Sequence, residues 1–231
     1  MQRKKPINNS MSVKLEDLLQ FNPLTSNQEK TYKAWDEGDN LVLAGSAGTG
    51  KTFTALYLAL RAMLNRDSEW DQIVIIRSMV PTRDMGFLPG TKQEKEDAFT
   101  VPYKSICKEL LGDTSSYNKM VTSKQLQFES TSFIRGTTYD NSIIIVDEMQ
   151  NLNFHELDSV ITRVGRNSKI IFCGDYKQSD FKYNDEKNGI INFTQIVEQL
   201  RNFTIINFGW EDIVRSDFVR DYIMTKEMLG F

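Results

Sequence analysis

A glycine-rich segment that follows a short apolar run constrains the fold of this chain more than any other feature. The apolar run is Leu41–Ala44, and the segment after it, Gly45–Thr52, reads Gly-Ser-Ala-Gly-Thr-Gly-Lys-Thr. This spacing is that of a phosphate-binding loop, which joins a strand to the N-terminus of a helix. Its glycines let consecutive backbone N–H groups point inward, and the helix N-terminus adds positive potential. The segment therefore predicts a phosphate site on an α/β fold.

The residues of this loop have different predicted roles. Lys51 can reach the β- and γ-phosphates of a nucleotide, and the Thr52 hydroxyl can ligate Mg²⁺. The backbone expected to surround the phosphates is that of Gly45, Ser46, Ala47, Gly48, Thr49, Gly50, Lys51 and Thr52. We expect a nucleoside triphosphate and Mg²⁺ as the ligands of this site.

Apolar, β-branched runs alternate with helical patterns along the chain. The five strong strand patterns lie at 41–44, 73–77, 142–146, 169–173 and 203–208. Because these runs are mainly apolar and are separated by helices, they indicate a mainly parallel sheet that helices cover on both faces. We predict a single α/β domain over residues 13–231, preceded by a flexible basic arm at residues 1–12.

The segments between the strands divide into helices and loops. Leucine spacing predicts a helix at 13–21, and residues 125–135 are expected to form one or two short strands. Residues 78–100 contain prolines, glycines and a charged stretch and are predicted to be loop-like. The other predicted helices are at 28–35, 52–64, 103–111, 115–122, 154–164, 189–200 and 217–229.

Two adjacent carboxylates follow the apolar strand pattern at 142–146. They are Asp147 and Glu148, and they are expected at the carboxyl edge of the sheet, where ligands bind in open α/β folds. Asp147 is predicted to hold Mg²⁺, directly or through water, and Glu148 to orient and deprotonate the attacking water. Gln178, beyond the next strand pattern, is a candidate to sense the γ-phosphate.

Composition excludes several other classes of protein. With 28 basic and 31 acidic side chains, the formal charge is −3, so no general electrostatic clamp on nucleic acid is expected, although a local basic groove is compatible with it. The cysteines Cys107 and Cys173 and the single histidine His155 cannot build a disulfide framework or a Cys/His zinc module. No stretch has the roughly twenty apolar residues of a membrane-spanning helix, and no signal peptide is recognisable.

Several segments, in order along the chain, resemble the motifs of one ATPase family. They are Asn22–Gln28, Gly45–Thr52, Gly86–Gly90, Phe133–Thr137, Ile145–Asn151, Gly174–Gln178 and Asp212–Arg215. On these motifs the chain resembles the PhoH-like ATPases, most closely those of tailed bacteriophages, which are relatives of superfamily 1 helicases. The resemblance implies a P-loop NTPase with a RecA-like fold, ATP and Mg²⁺ as ligands, and an activity directed at RNA or single-stranded DNA. It also implies that Gln28 hydrogen-bonds adenine.

The resemblance further implies an oligomer. Superfamily 1 helicases bind ATP between two RecA-like lobes, whereas this chain has room for one. An arginine finger from a neighbouring subunit would complete the site, so we predict a head-to-tail ring, specifically a hexamer. Arg215, which lies in a matched motif, is the first candidate for the finger, and Arg163 and Arg166 are the others. The expected location is a reducing cytoplasm, that of the host if the chain is encoded by a phage.

A stretch at 77–104 is the candidate nucleic-acid contact. It interleaves basic and aromatic side chains, as single-strand binders do, and Arg77, Arg83 and Phe87 are the candidate contacts. Acidic residues in the same stretch dilute the charge, so a plain loop explains the composition equally well.

Two other functions stay open at this point. One is an ATPase switch that acts on a protein partner without unwinding, which the near-neutral net charge would suit. The other is a phosphotransferase that uses the same phosphate-binding loop.

Overall fold

The computed structural model describes residues 12–79, 92–132, 134, 136–175 and 184–230. Its strands are β1 (Asn40–Gly45), β2 (Gln72–Arg77), β3 (Leu126–Ser130), β4 (Ser142–Val146), β5 (Lys169–Gly174) and β6 (Phe203–Phe208). Its α-helices are α1 (Ser26–Asp36), α2 (Lys51–Met63), α3 (Lys92–Leu111), α4 (Ser116–Thr122), α5 (Phe154–Ile161), α6 (Asn184–Val197) and α7 (Asp217–Met228).

The six strands form one sheet in the order β3-β2-β4-β5-β1-β6, and every neighbouring pair is parallel. The predicted parallel sheet is therefore confirmed, and the short-strand prediction at 125–135 is confirmed as the single strand β3. Since all strands point the same way, their carboxyl ends lie along one edge. β5 separates the phosphate-loop strand β1 from the strand β4 that precedes the acidic pair.

Alternation along each strand places apolar side chains in two separate cores. Leu41 and Leu43 of β1 pack into the cluster on one face of the sheet, while Val42 and Ala44 pack into the cluster on the other. This period of two is the pleat of a strand, and burial on both faces explains why the middle of each of the strands β1, β2, β4 and β5 is apolar. The central strands β4 and β5 are buried along their whole length.

Helix α3 begins well before its predicted start, and α6 also begins earlier, at Asn184 instead of 189. The loop expected at 78–100 is wrong in its second half, because α3 starts at Lys92 and continues for 20 residues with Pro102 inside it. The charged stretch that looked loop-like consists largely of Lys, Glu and Gln, which are good helix formers.

The helix predicted at 13–21 is also not formed. Within that range only Leu15–Asp17 make a single 3₁₀ turn. Leu18 and Phe21 pack against the core, and the Leu19 N–H donates to the Leu110 carbonyl at 2.9 Å. Contacts with distant parts of the chain thus replace the local helical bonds. Most of the predicted arm at 1–12 lies outside the described residues.

Both cysteines are buried and free. None of the helices in the described ranges has the length and apolar character needed to cross a membrane.

Candidate functional site

The loop Gly45–Thr52 joins β1 to α2 at the carboxyl edge of the sheet, as its spacing predicted. Two of its glycines are required by geometry. A Cβ added at Gly45 would lie 2.0 Å from the Phe208 carbonyl oxygen of the neighbouring strand, and Gly50 begins α2 in the left-handed conformation with a φ of 80°. The loop thus wraps tightly around the start of α2, with the helix N-terminus facing the same edge.

The Lys51 ammonium lies inside this loop. It donates to the carbonyl oxygens of Gly45 and Ser46, both at 2.7 Å, and to the Thr49 hydroxyl at 3.3 Å. Burial lowers the pKa of Lys51, and nearby acidic groups, Asp175 first among them, partly oppose that shift. The amine is therefore held on loop carbonyls from which it can transfer to phosphate oxygens.

Asp147 meets the end of the loop directly. Its Oδ1 accepts a hydrogen bond from the Thr52 hydroxyl at 2.7 Å, and its own N–H donates to the Ile76 carbonyl at 2.9 Å. The structure thus brings together the two residues predicted to hold Mg²⁺. A hydroxyl and a carboxylate are hard oxygen donors, and Mg²⁺ in nucleotide sites is held by few protein oxygens together with the phosphates, so the pair fits that ion.

Glu148 adopts an unusual backbone conformation beside Asp147. Its φ of 53° and ψ of 45° are left-handed, which is strained for a non-glycine residue and is found mainly at functional sites. Burial raises the pKa of Glu148, and the adjacent Asp147 raises it further. A carboxylate with a raised pKa is a stronger base, as the predicted role in activating water requires.

Gln150, which the sequence reasoning did not single out, orients Glu148. Its Nε2 donates to Glu148 Oε2, while its Oε1 accepts from the Asp175 N–H at 3.1 Å. The side chain thus ties the end of β4 to the end of β5. Its position inside the matched motif Ile145–Asn151 was the signal that could have identified it.

Tyr103 of α3 is a second residue that the sequence reasoning missed. Its hydroxyl donates to Asp147 Oδ2 at 2.8 Å, and its side chain is buried. No local pattern could have revealed this contact, since α3 is far from β4 in the chain.

Arg77, predicted to contact nucleic acid, lies at the end of β2 beside the acidic pair. Its guanidinium is 5.7 Å from the centre of the Phe99 ring. Burial opposes its charge, but the nearby Tyr103, Asp147 and Glu148 outweigh burial and raise the pKa of Arg77. The structure therefore gives this arginine partners within the site, and its contact with nucleic acid stays a prediction.

Gln28, predicted to contact adenine, lies against the loop. Its Nε2 donates to the Thr49 carbonyl at 3.1 Å, and its Oε1 accepts from the Leu24 N–H at 2.8 Å. Two exposed apolar residues lie near this amide: Leu24, whose backbone N–H makes the contact, is 76% exposed, and Val214, which lies near Gly50 as Gln28 does, is 37% exposed. An amide has four hydrogen-bonding positions, so Gln28 retains capacity for a further partner.

The three candidate finger arginines lie at opposite edges of the sheet. Arg215 is exposed and packs on the loop, since a Cβ added at Gly48 would lie 2.9 Å from its Cγ. Arg163 and Arg166 precede β5 and therefore lie at the amino edge, where Arg166 pairs with Asp140 at 3.4 Å.

The C-terminal helix α7 crosses the start of the loop, which the sequence did not indicate. Glu227 Oε2 accepts from the Ser46 hydroxyl at 3.1 Å and from Trp210 Nε1 at 2.7 Å. A cavity of about 280 Å³ opens beside Ser46, and its lining includes Asp175 and Trp210. A carboxylate thus lies next to the proposed phosphate site.

Three predicted site residues lie outside the described ranges. They are Arg83, Phe87 and Gln178.

The parallel sheet, the glycine-rich loop and the carboxylates at the same edge define a P-loop NTPase domain of the RecA-like type. The fold agrees with that of the large terminase of a thermophilic bacteriophage, with a TM-score of 0.51 and 13% identity over 90% of this chain and 50% of the terminase.

The family model described as PhoH-like protein matches residues 20–226, and the chain belongs to this family. It is 33% identical over 204 residues to a PhoH-like protein of Synechocystis, covering 88% of this chain and 61% of that relative. It is 35% identical over 170 residues to the protein PhoH2 of Bacillus subtilis, covering 70% of this chain and 37% of that protein. The chain therefore spans less than two thirds of the length of these relatives. Membership of the phage type stays a prediction.

Proposed function

We propose that this protein is a Mg²⁺-dependent ATP hydrolase. The observation that carries the proposal is the 2.7 Å contact between the Thr52 hydroxyl and Asp147 Oδ1, because it joins the phosphate loop to the acidic pair. A glycine-rich loop alone would support nucleotide binding only. Next to it, the strained and basic Glu148 supplies the group needed to activate water.

Each residue of the site has a distinct role in the proposed hydrolysis. Backbone N–H groups of the loop and the α2 N-terminus bind the phosphates, and Lys51 neutralises charge on the β- and γ-phosphates. Thr52 and Asp147 would hold Mg²⁺, which supplies neutralisation of the phosphate charge. Glu148 orients the attacking water and accepts its proton at a carboxylate oxygen. Gln28 reads the base, so ATP is preferred over GTP.

We further propose that RNA or single-stranded DNA stimulates hydrolysis. The support is the motif resemblance together with the position of Arg77, which ends β2 immediately before the basic and aromatic stretch and attracts the acidic pair electrostatically. A strand bound at that stretch would lie next to the catalytic carboxylates.

The primary test is ATP hydrolysis with and without single-stranded RNA and DNA. Lys51→Ala serves as the inactive control, and Glu148→Gln separates binding from chemistry, since it retains nucleotide but loses the base. We expect RNA or single-stranded DNA to stimulate ATP hydrolysis by the wild type. Neither Lys51→Ala nor Glu148→Gln should show this stimulation. Hydrolysis that no strand changes would contradict the nucleic-acid proposal and favour the protein-directed switch. The absence of ATP hydrolysis in the wild type would contradict the enzyme itself.

The ring is a separate proposal. Its support is the apolar surface of α7, where Phe218 and Tyr222 are 80% and 64% exposed on successive turns. Such a stripe suits contact with a second copy. Sedimentation velocity of the wild type and of Phe218→Ser tests it. We expect an oligomer that the substitution weakens, and a monomer at all concentrations would contradict the ring.

Arg215 is proposed to act on the nucleotide of its own chain, because it packs on its own loop at Gly48. The arginine from a neighbouring subunit is then Arg166, which is 90% exposed. Mixing inactive Lys51→Ala with Arg166→Ala should restore part of the activity, whereas mixing Lys51→Ala with Arg215→Ala should not. The reverse pattern would assign the finger to Arg215.

A further inference from the structure

Both oxygens of the Asp147 carboxylate accept hydrogen bonds, each from a hydroxyl on a different helix. Thr52 of α2 donates to Oδ1 at 2.7 Å, and Tyr103 of α3 donates to Oδ2 at 2.8 Å. A metal ion held by Thr52 and Asp147 would take the place of the first bond only. Tyr103 is therefore the partner that can stay on the carboxylate in every state of the site.

The Tyr103 hydroxyl is fixed by packing on all sides. The side chain is 1% exposed, belongs to the core cluster on its face of the sheet, and packs against Phe128 with ring centres 5.9 Å apart. A hydroxyl buried in this way is costly unless it is hydrogen-bonded. Asp147 is its partner, and the Arg77 guanidinium lies nearby. The phenol thus has one favourable orientation, towards the carboxylate.

Arg77 completes the arrangement from the end of β2. Its side chain lies beside Tyr103, and its positive charge attracts both carboxylates of the acidic pair. Two adjacent carboxylates repel each other, and a half-buried guanidinium offsets that repulsion more strongly than an exposed one would. Phenol and guanidinium therefore act together on the acidic pair without lying in the loop.

We propose that Tyr103 is a positioning residue for the metal-holding carboxylate: supported by Arg77, its hydroxyl orients Asp147 so that Oδ1 faces Thr52 and the bound nucleotide. Groups that orient a metal ligand in this way typically change metal affinity or activity by about 10- to 100-fold when they are removed. The inference rests on the proposed function for the identity of the site, but its test does not require hydrolysis.

The test measures binding of Mn²⁺ as a spectroscopic substitute for Mg²⁺. Electron paramagnetic resonance gives the Mn²⁺ affinity of the ADP complex for wild type, Tyr103→Phe and Arg77→Gln. Tyr57→Phe is the matched control, because Tyr57 is buried in the same core cluster while its hydroxyl contacts the Phe21 N–H instead. ADP binding in EDTA and the melting temperature report on the fold.

We expect Tyr103→Phe to weaken Mn²⁺ binding by about 10- to 100-fold, with Arg77→Gln in the same direction. ADP binding in EDTA and the melting temperature should stay at the values of Tyr57→Phe. Hydrolysis by Tyr103→Phe should recover in part at high Mg²⁺. Unchanged Mn²⁺ affinity in Tyr103→Phe would overturn the inference. A loss of metal-free ADP binding together with a lower melting temperature in Tyr103→Phe and Arg77→Gln would also overturn it.

Failure of the proposed function has a different signature. A wild type that binds Mn²⁺ with ADP but does not hydrolyse ATP would leave the positioning role intact. A wild type that binds no Mn²⁺ with ADP would overturn both.

Discussion

Each edge of the parallel sheet contains a buried lysine, and the two differ in what surrounds them. At the carboxyl edge Lys51 donates to loop carbonyls and faces Asp175, Asp147 and Glu148. At the amino edge Lys169 donates to the Trp35 carbonyl at 3.0 Å, with its Nζ 3.6 Å from the centre of the Trp35 ring. Burial lowers the pKa of both. Burial of a charge is therefore no sign of function by itself. The groups next to the lysine indicate whether it belongs to a functional site.

Backbone conformation does not separate the two edges in the same way. Left-handed residues occur at the carboxyl edge, at Gly48, Gly50 and Glu148, and also just before strands at the amino edge, at Asn141 and Asn167. At the amino edge, the Arg166–Asp140 pair is an ordinary surface contact. A left-handed residue is therefore no sign of function by itself, and the groups around it distinguish the two edges.

The largest expected effect separates the two lysines by activity. Lys51→Ala should lower ATP hydrolysis by at least about 10²-fold, because a preorganised cation next to the transferring phosphate is lost. Lys169→Met should leave hydrolysis within about twofold of wild type, since it removes a charge at the opposite edge. Steady-state kinetics at saturating ATP and Mg²⁺ measures both. Similar losses of hydrolysis in Lys51→Ala and Lys169→Met would contradict the functional difference between the two edges.

The next effect concerns the stability that Lys169 contributes at the amino edge. Burial lowers the pKa of Lys169 from 10.5 to about 8, so between these values the unfolded chain binds more protons than the folded one. The contribution of this group to the free energy of unfolding therefore rises as the pH rises from about 8 to 10.5. Below about pH 8 the folded protein bears the full cost of burying the charged ammonium. Urea unfolding across this range should show a slope in the wild type that Lys169→Met lacks. An equal slope in both proteins would refute the assignment to this lysine.

A smaller effect is expected from the carboxylate of α7. Glu227 lies on Ser46 next to the phosphate site, so Glu227→Gln removes repulsion and should tighten ATP binding by about three- to tenfold. Glu198→Gln, at an exposed position after α6, is the matched control and should leave affinity unchanged. Titration calorimetry measures the ATP affinity of each variant. Equal ATP affinities in Glu227→Gln and Glu198→Gln would exclude an electrostatic role for α7.

The smallest expected effect is on the stability of Arg166→Ala. The Arg166 side chain is 90% exposed and its contact with Asp140 is 3.4 Å long, so the free energy of unfolding should change by less than about 0.5 kcal/mol. Chemical denaturation measures this change. A larger loss would mean that this edge contributes more to folding than its exposed pairs indicate.

Much of the site could be predicted because its signals are local. The pattern of β4 followed by Asp147 and Glu148 predicted a strand end, and parallel strands bring such ends to one edge. The loop spacing likewise predicted its position between β1 and α2. Prediction failed at Leu15–Asp17, where contacts with α3 replace a helix, and at the start of α3, where helix-forming residues looked like a loop.

Other features depend on contacts between distant residues. Tyr103 reaches Asp147 across 44 positions of the chain, and Glu227 reaches Ser46 across 181. The sequence predicted Arg77 only as a nucleic-acid contact, and the packing of α3 on the sheet showed that it lies against Phe99. Neither hydrophobic periodicity nor a sequence motif indicates contacts between residues so far apart in the chain.

The sequence by itself determined the phosphate loop, the parallel sheet and the family, because each depends on the spacing of neighbouring residues. Only the tertiary structure decided which oxygen of Asp147 each hydroxyl binds, that α7 crosses the loop, and that Lys169 is buried beside Trp35. The physical reason is that side-chain orientation depends on which elements pack together, and that packing is set by the whole core rather than by any one segment.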